Sequence, residues 1–396
     1  MNLRLRYGAF GILCAGMSSR TTSAVRTRPL RILQVISSSA TSGAERHAFT
    51  LSIMLRGLGH EVEMVCPTHG WIAQQLPQHG IKVHPIEMKG KQTVAAHLYM
   101  LRLVRRNRYD VIHSHLTRAT YLGFVSGKLR RVPLVSSVHI ANHDNIYRIA
   151  ARGNNRLVAV SNYVRGVLHG RGVPEKYIDV VYNGTDFHDF TFQSPDGVHE
   201  EFQIPKEKRL VGLVGRVCPE KGHLFAARAL QDVVQAEPEA HMLFVGRFAD
   251  GFEPEMRQAI TDYGIEKNVT FTGNRNDVSR MFDAMEFSIM PSLIEACPLA
   301  ALESMARSKA LVAARVGGLA ELVEHQHNGL LVEQNADELA DGMLYMLQND
   351  EDRERMGSNG RRLIEEKFTL HQMVERLEAV YHRTIGTQGL SVQGPS

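Results

Sequence analysis

The chain has 396 residues, which is enough for two domains of ordinary size. Hydrophobic residues make up 43% and charged residues 22%, a composition that excludes an intrinsically disordered chain. The formal net charge is +4.

That charge is unevenly divided. Residues 1–200 hold 25 Lys and Arg against 12 Asp and Glu, a balance of +13, whereas residues 201–396 hold 21 against 30, a balance of −9. The asymmetry indicates that the first half meets an anionic partner, the alternative being two domains that merely differ in isoelectric point. Nucleic acid is not expected as that partner, because aromatic residues are only 7% and no zinc-finger or RNA-binding signature is present.

Residues 1–29 form a basic start, a weakly apolar run of ten residues and a Ser/Thr/Arg-rich stretch. They resemble the first regions of a signal peptide, but the run is shorter than the ~20 apolar residues of a spanning helix. We predict a disordered tail, with weak membrane contact as the alternative. A second disordered tail is predicted for residues 386–396, and no other stretch is apolar enough to span a bilayer.

From residue 30 onward, short apolar runs alternate with helical patterns. The predicted strands of the first half are Arg31–Ile36, Glu61–Cys66, Ile81–Ile86, Asp110–His113, Leu134–His139, Leu157–Val160 and Ile178–Tyr182. A helix is predicted over Ala44–Gly59, where apolar residues recur at helical spacing. This alternation predicts a doubly wound parallel sheet spanning residues 30–190.

Residues 187–208 are polar and contain prolines, so they are predicted to link two domains. The alternation then restarts, with strands at Arg209–Val214, His241–Val245, Val269–Thr272, Phe287–Met290, Leu311–Ala314 and Gly329–Val332. We therefore predict an α/β chain of two Rossmann-like domains facing across a cleft, the second over residues 205–369. Neither half has a GxGxxG sequence after its first strand, so simple dinucleotide binding is not favoured.

Two patterns in the second half indicate chemistry. Gly215 and Arg216 follow a strand, and Lys221 lies at the next turn, so two cations could meet a diphosphate. Glu295 and Glu303 are eight residues apart, on either side of Pro298, which suits the first position of a helix. Such a helix start offers backbone N–H groups to a phosphate, and both carboxylates can accept hydrogen bonds from sugar hydroxyls. The alternatives are ordinary surface charges and a capping glutamate.

The Glu295-to-Glu303 spacing resembles the E-x7-E signature of retaining GT-B glycosyltransferases, in particular family 4. The surrounding motifs match the same family over about residues 30–385. They are Ser42-Gly43-Ala44-Glu45, with Ser42 in place of a glycine; Asp110 to His115; His139; Val160-Ser161; Asn183 to Asp186; Gly215-Arg216 with Lys221-Gly222; Phe271-Thr272-Gly273; Gly317 to Glu321; and Asn328 to Leu331.

The resemblance implies a GT-B fold with a nucleotide-sugar donor, UDP- or GDP-linked, held by the second domain without a metal or other cofactor. Arg216 and Lys221 would hold the diphosphate and stabilise the leaving nucleotide. Glu303 would bind the ribose and Glu295 the sugar. The remaining implied donor contacts are His139 and Gly43 of the first domain, Gly215, the Gly273–Asn274 loop next to the base, and the backbone at Ala296, Cys297, Pro298 and Leu299. The last helix, about residues 370–385, would return to the first domain.

The first domain would then receive the acceptor. It carries Lys89, Lys91, Arg102, Arg105, Arg106, Arg108, Lys128, Arg130 and Arg131, which could attract anionic lipid headgroups. We expect a cytoplasmic enzyme, peripheral on the inner face of the membrane, that extends a lipid-linked glycan or lipopolysaccharide core. A nucleotide-sugar 2-epimerase and a non-catalytic nucleotide-sugar-binding protein remain as alternatives.

Overall fold

A computed structural model of the chain describes residues 28–40, 42–140, 144–186 and 194–386. These residues form two compact units, and the chain passes from one to the other at Asn183–Gly184 and again at Leu370–His371. The first unit is the part before Gly184 together with the C-terminal helix, and the second unit is the part between. The predicted tails lie outside the described residues, apart from 28, 29 and 386.

The first unit contains a seven-stranded sheet. Its strands are β1 (Arg31–Ile36), β2 (Glu61–Cys66), β3 (Lys82–Pro85), β4 (Val111–His115), β5 (Leu134–Val138), β6 (Arg156–Ala159) and β7 (Ile178–Val180). Its α-helices, besides the C-terminal one, are α1 (Gly43–Gly57), α2 (Trp71–Gln75), α3 (Thr93–Asn107), α4 (Thr117–Arg130), α5 (Ile146–Ala150) and α6 (Asn162–Gly170).

All paired strands of this sheet are parallel, in the order β3-β2-β1-β4-β5-β6-β7. The central strands β1, β4 and β5 are buried along almost their whole length, as expected when helices cover both faces of a parallel sheet. The order reverses between β1 and β4, so the chain segments that follow these strands open a crevice at the carboxyl edge.

The second unit contains a six-stranded sheet. Its strands are β8 (Arg209–Val214), β9 (Ala240–Val245), β10 (Val269–Gly273), β11 (Phe287–Met290), β12 (Leu311–Ala314) and β13 (Gly329–Val332). Its α-helices are α7 (Val198–Glu201), α8 (His223–Ala236), α9 (Glu253–Asp262), α10 (Val278–Ala284), α11 (Leu299–Ala306), α12 (Leu319–Leu322), α13 (Ala336–Gln348) and α14 (Asp350–Lys367).

This sheet is also parallel throughout, in the order β10-β9-β8-β11-β12-β13. The order reverses between β8 and β11, which are the strands that precede Arg216 and Glu295. Both predicted signature motifs therefore lie beside the reversal, where ligands of open α/β sheets bind.

The C-terminal helix α15 (Leu370–Ile385) belongs to the first unit from His371 onward, as the resemblance implied. Its Tyr381 is fully buried, and the hydroxyl lies 2.6 Å from Nδ1 of His113 on β4. Its Glu378 carboxylate lies 2.8 Å from Nε2 of His60. These two contacts fix the C-terminal helix to the first unit, although the whole second unit separates the two in sequence.

The predicted linker differs from the structure. Residues 194–208 belong to the second unit, where Val198 and Ile204 are buried against Leu210, Leu243 and Phe282. The prediction was wrong because the stretch is polar overall and its two buried apolar residues were not recognised as part of a core. Within the described residues, no helix has the length and apolar character needed to cross a membrane.

Candidate donor site and relatives

The carboxyl edge of the second sheet brings the sequence-predicted donor residues to one side. Gly215 and Arg216 follow β8, Gly273 ends β10 and is followed by Asn274, and the loop carrying Glu295 follows β11. Because all strands are parallel, these ends share one edge of the sheet. The edge therefore joins three segments that are far apart in sequence.

Lys221 and Glu295 form an ion pair through Nζ and Oε1, across 74 positions of sequence. The Glu295 carboxylate is buried and also accepts a 2.8 Å hydrogen bond from Ser292 Oγ. The Lys221 side chain is about one-third exposed, so its ammonium remains accessible from solvent. A buried carboxylate needs such partners, and here they fix it at the edge where a donor is predicted.

The loop between β11 and α11 is held at both ends. Its Leu293 N–H donates to Glu220 O at 2.9 Å, which ties it to the turn carrying Lys221. The Glu295 carbonyl accepts from the Gly318 N–H at 2.9 Å, which ties it to the segment after β12. Gln334 Nε2 donates to the carbonyl of Leu293 at 2.9 Å. Glu295 is thereby preorganised by backbone contacts as well as by its charge partner.

Helix α11 follows this loop and carries Glu303, which is mostly buried one turn inside the helix, as predicted. The prediction for Pro298 was wrong in detail. It is the N-cap residue with extended ψ of 126°, and Leu299 is the first helical residue. The helix has no side-chain cap, so its first N–H groups can serve a ligand. Cys297, in the same loop, is buried.

Arg216 is more than half exposed, with Glu220 as a distant partner at 3.9 Å. A Cβ built at Gly215 would lie 4.0 Å from Lys221 Cε, so the lysine side chain passes beside the residue that precedes Arg216. The two predicted diphosphate cations are thus carried by the same segment that follows β8. Gly273 has a positive φ of 68° and no heavy atom near a built Cβ, which leaves open space at the end of β10.

Gly222 sets the turn that presents Lys221. Its φ is +75°, and an added Cβ would lie 1.9 Å from the carbonyl oxygen of Pro291. We expect Gly222→Ala to lower the free energy of unfolding by about 3 kcal/mol or more, because a backbone clash adds to the strain of the positive φ. Urea denaturation measures the change.

Gly264→Ala is the matched control. Its φ is +65° in the same unit, but nothing lies within 4 Å of an added Cβ. This variant should lose only about 1 kcal/mol from the backbone conformation. Equal losses in the two variants would show that the close approach to Pro291 is not important.

In the first unit, Gly43 is the first residue of α1, and Ser42 caps the helix. The Ser42 hydroxyl bonds the Glu45 carboxylate, which also accepts the Ser42 N–H at 3.2 Å. Ser42 therefore replaces the family glycine with a capping box, a local gain in helix stability. The predicted role of Gly43 next to a diphosphate stays a prediction.

His139 follows β5 at the carboxyl edge of the first sheet and joins a buried histidine cluster. Its Nε2 lies 3.3 Å from Nδ1 of His115, and His115 Nε2 lies 2.8 Å from Gln34 Oε1. Burial, reinforced by repulsion from His113, lowers the pKa of His139 to about 3. Burial likewise lowers the pKa values of His47, His113 and His115 well below the usual range. These imidazoles are therefore neutral at physiological pH.

From the sequence, Ser292 was placed only in a loop at a strand end that suits the rim of a ligand site, and no role was predicted for Ser292, Gln34 or His47. Ser292 lies three residues before Glu295 and could have been noticed as a hydrogen-bond donor within reach. His47 lies one turn beyond Gly43 on α1, so helical spacing from that loop was the available signal. For Gln34, a polar side chain in the middle of a buried strand was the only signal.

Two family models match the chain. The model described as glycosyl transferases group 1 matches residues 196–363, and the model described as glycosyltransferase family 4 matches residues 41–189. Together they cover most of the chain. This chain belongs to the family 4, group 1 glycosyltransferases. It is thus a glycosyltransferase with two parallel α/β domains, as the E-x7-E resemblance implied.

Curated glycosyltransferases resemble the chain over most of their length. An Escherichia coli UDP-Gal:alpha-D-GlcNAc-diphosphoundecaprenol alpha-1,3-galactosyltransferase is 25% identical over 309 residues, covering 71% of this chain and 77% of the relative. A Corynebacterium efficiens D-inositol 3-phosphate glycosyltransferase is 28% identical over 331 residues, covering 74% and 78%.

Among solved structures, Anabaena HepE in complex with UDP has a TM-score of 0.79 at 23% identity, with 88% of this chain and 98% of that chain covered. The similarity supports the GT-B fold of this glycosyltransferase.

Proposed function

We propose that this glycosyltransferase moves a sugar from a UDP-linked donor to a lipid-linked glycan, with retention of the anomeric configuration and without a metal ion. The observation that carries the proposal is the buried Glu295 carboxylate, which Lys221 and Ser292 hold in the loop before α11. UDP is favoured over GDP because HepE was solved with UDP and the E. coli relative is named for UDP-Gal.

In the proposed donor complex, Lys221 and Arg216 hold the diphosphate. Their positive charges take the place of a divalent cation, because negative charge develops on the leaving UDP. Glu295 accepts hydrogen bonds from sugar hydroxyls, and Glu303 accepts them from the ribose. The N–H groups from Ala296 to Leu299 and the loop at Gly273 and Asn274 complete the proposed donor contacts.

Glu295 is engaged by a lysine and a serine, an arrangement that suits orientation of the donor rather than covalent attack on it. We therefore propose front-face displacement. The bond from the anomeric carbon to the diphosphate breaks while the acceptor oxygen bonds the same face, and the acceptor proton passes to the leaving phosphate. The products are UDP and a glycoside of unchanged configuration.

His139 and Gly43 of the first unit keep their predicted roles toward the transferred sugar and the diphosphate. A His139 with a pKa of about 3 stays neutral during turnover. It would therefore act as a hydrogen-bonding group and not as a cationic acid.

The acceptor side is proposed to rest on an anionic membrane surface. Helix α3 exposes Val94 and Leu98 in its first half and Arg102, Arg105 and Arg106 in its second half. Apolar side chains beside arginines suit the boundary between headgroups and acyl chains. The neighbouring helix α4 ends with the exposed Lys128, Leu129 and Arg130.

Changing Arg102, Arg105 and Arg106 together to glutamine is expected to weaken binding to phosphatidylglycerol vesicles by about 100-fold at low salt. Each basic residue near an anionic surface contributes about 1 kcal/mol. Vesicle co-sedimentation measures the change. The double variant Arg361→Gln/Arg362→Gln, on exposed positions of α14, is the charge control and should bind like the wild type. If the wild-type protein does not co-sediment with these vesicles at low salt, the membrane proposal is wrong.

The function is tested by incubating the protein with UDP- and GDP-sugars, with and without polyprenyl-diphosphate-linked acceptors. We expect UDP release that depends on the acceptor, is insensitive to EDTA, and yields a product whose anomeric proton coupling matches that of the donor. An inverted product would reject the retaining mechanism. Acceptor-independent isomerisation of the donor would favour a 2-epimerase, and donor binding without turnover would favour a non-catalytic binding protein.

A further inference from the structure

Three histidines of the first unit converge from different elements. His47 lies on α1, His115 ends β4, and His139 follows β5. One ring nitrogen of each lies within 4.8 Å of the corresponding atoms of the other two. The first two residues are buried and His139 is half-buried. Of these three residues, His139 is among the donor contacts proposed above, and His47 and His115 have no proposed role there.

The spacing of the rings matches that of imidazoles around one tetrahedral ion. A zinc ion bound at ~2.1 Å from nitrogen lies ~3.2 Å from the ring centre, so tetrahedral ligation places ring centres ~5.3 Å apart. The observed centre-to-centre distances are 4.8 Å for His47 and His139, 5.6 Å for His47 and His115, and 5.6 Å for His115 and His139.

The nitrogen positions agree with this spacing. Two nitrogens of one tetrahedral zinc are ~3.4 Å apart, and Nδ1 of His115 lies 3.3 Å from Nε2 of His139. Since no separation in the cluster exceeds 4.8 Å, a movement of ~1.4 Å by His47 would close the site around an ion.

A second observation points to a ligand. His47 is about 95% buried as a residue. Its Nε2 makes no hydrogen bond of good geometry among the described residues, although an interaction with the Asn183 side chain partly offsets the effect of burial on the His47 pKa. A buried polar atom in this state is rare and calls for an explanation. A metal ion at the centre of the cluster would supply the missing contact.

The surroundings of His115 are those of a metal ligand. Its Nε2 is 2.8 Å from Gln34 Oε1, so this nitrogen carries the proton and Nδ1 presents its lone pair to the cluster. Ligating histidines usually donate their other N–H to such an oxygen, which fixes the ring. His113, whose ring centre is 4.3 Å from that of His115, is held separately by Tyr381 and Ser137.

We propose that His47, His115 and His139 form a binding site for a borderline-soft divalent ion such as Zn²⁺, with an open fourth position for water. On binding, the proton that His139 Nε2 shares with His115 moves to His139 Nδ1, so Nε2 becomes a ligand. The site lies wholly within the first unit, and His139 is the residue that it shares with the proposed metal-free donor contacts. An ion there would engage His139, and zinc is therefore expected to inhibit transfer.

Co²⁺ is the probe, because four-coordinate Co²⁺ has an intense visible absorption that the aqueous ion lacks. Tag-free full-length protein, cleared of metal, is titrated with CoCl₂ and then with ZnCl₂. We expect one equivalent of Co²⁺ to give the tetrahedral bands and one equivalent of Zn²⁺ to abolish them. This readout is independent of transferase activity, so its failure is distinct from failure of the proposed function.

Variants locate the site. His47→Ala and His139→Ala should each lose the bands, and Gln34→Leu should weaken Co²⁺ binding by about 10- to 100-fold by releasing the His115 ring. His139 is half-buried, so its variant is expected to fold even if that of His47 does not. His84→Asn is the control, because both His84 ring nitrogens are engaged, by Tyr99 and Glu63. The absence of tetrahedral bands, or bands that persist in folded His139→Ala, would overturn the proposal.

Discussion

Replacing Lys221 by methionine is expected to reduce kcat/KM for sugar transfer by about 10³-fold. The ammonium that faces Glu295 is proposed to stabilise charge on the leaving diphosphate, and removal of one such group from an active site has effects of this size. Methionine keeps the length and apolar stem of lysine, so the change isolates the charge. Steady-state release of UDP measures the loss.

The control for this variant is Lys206→Met, which removes an exposed lysine of the same unit that pairs with the exposed Glu200. It should retain activity near that of the wild type. Because Lys221 also partners a buried carboxylate, its variant is compared at a temperature well below its measured melting point. Full activity in folded Lys221→Met would show that the diphosphate assignment is wrong.

Glu295→Gln is expected to reduce kcat/KM by about 10²-fold or more. The glutamine amide keeps the size of the side chain, but it carries no negative charge and cannot form an ion pair with Lys221. Its NH₂ group donates hydrogen bonds at a position where a carboxylate oxygen accepts them. The loss should appear in kcat as well as in KM, because the carboxylate positions the reacting sugar.

A double-mutant cycle distinguishes this account from two independent contacts. If Lys221 and Glu295 act as a unit, Lys221→Met/Glu295→Gln should be much less impaired than the product of the two single losses. Strict additivity of the two effects would contradict the coupling that the ion pair implies. Glu333→Gln, on an exposed glutamate paired with Arg315, is the matched carboxylate control.

Much of the architecture could be predicted from the sequence. The strands Arg31–Ile36, Glu61–Cys66 and Arg209–Val214 were predicted with the bounds that the structure has, because short and largely apolar runs between turns are typical of parallel strands. The helix predicted over Ala44–Gly59 begins at Gly43 and ends at Gly57. Ends of elements are set by capping and packing, which periodicity describes only approximately.

The predictions were least accurate where tertiary contacts override local composition. The polar stretch before β8 was read as a linker, yet Val198 and Ile204 anchor it in the second unit. Pro298 suited a first helical position, but its place in the loop after β11 makes it the N-cap.

For the site, too, local patterns could be predicted from the sequence, whereas contacts between separate elements could not. The spacing of Glu295 and Glu303 could be read directly, since it lies within one loop and one helix. The pairing of Glu295 with Lys221 and the convergence of three histidines could not, because each joins residues from separate elements. For such contacts, sequence supplies the chemical types and the fold supplies their distances.

The most direct test of the central claim is a thermal-shift titration of the protein with UDP, GDP, ADP and their common sugars in the presence of EDTA. Ligand binding to the folded state raises Tm in proportion to the logarithm of one plus the ligand concentration over Kd. We predict a clear rise with UDP and a UDP-sugar, unaffected by EDTA and strongly reduced in Glu303→Ala. No rise with any nucleotide, or a rise that requires a divalent ion, would contradict the proposed metal-free donor site.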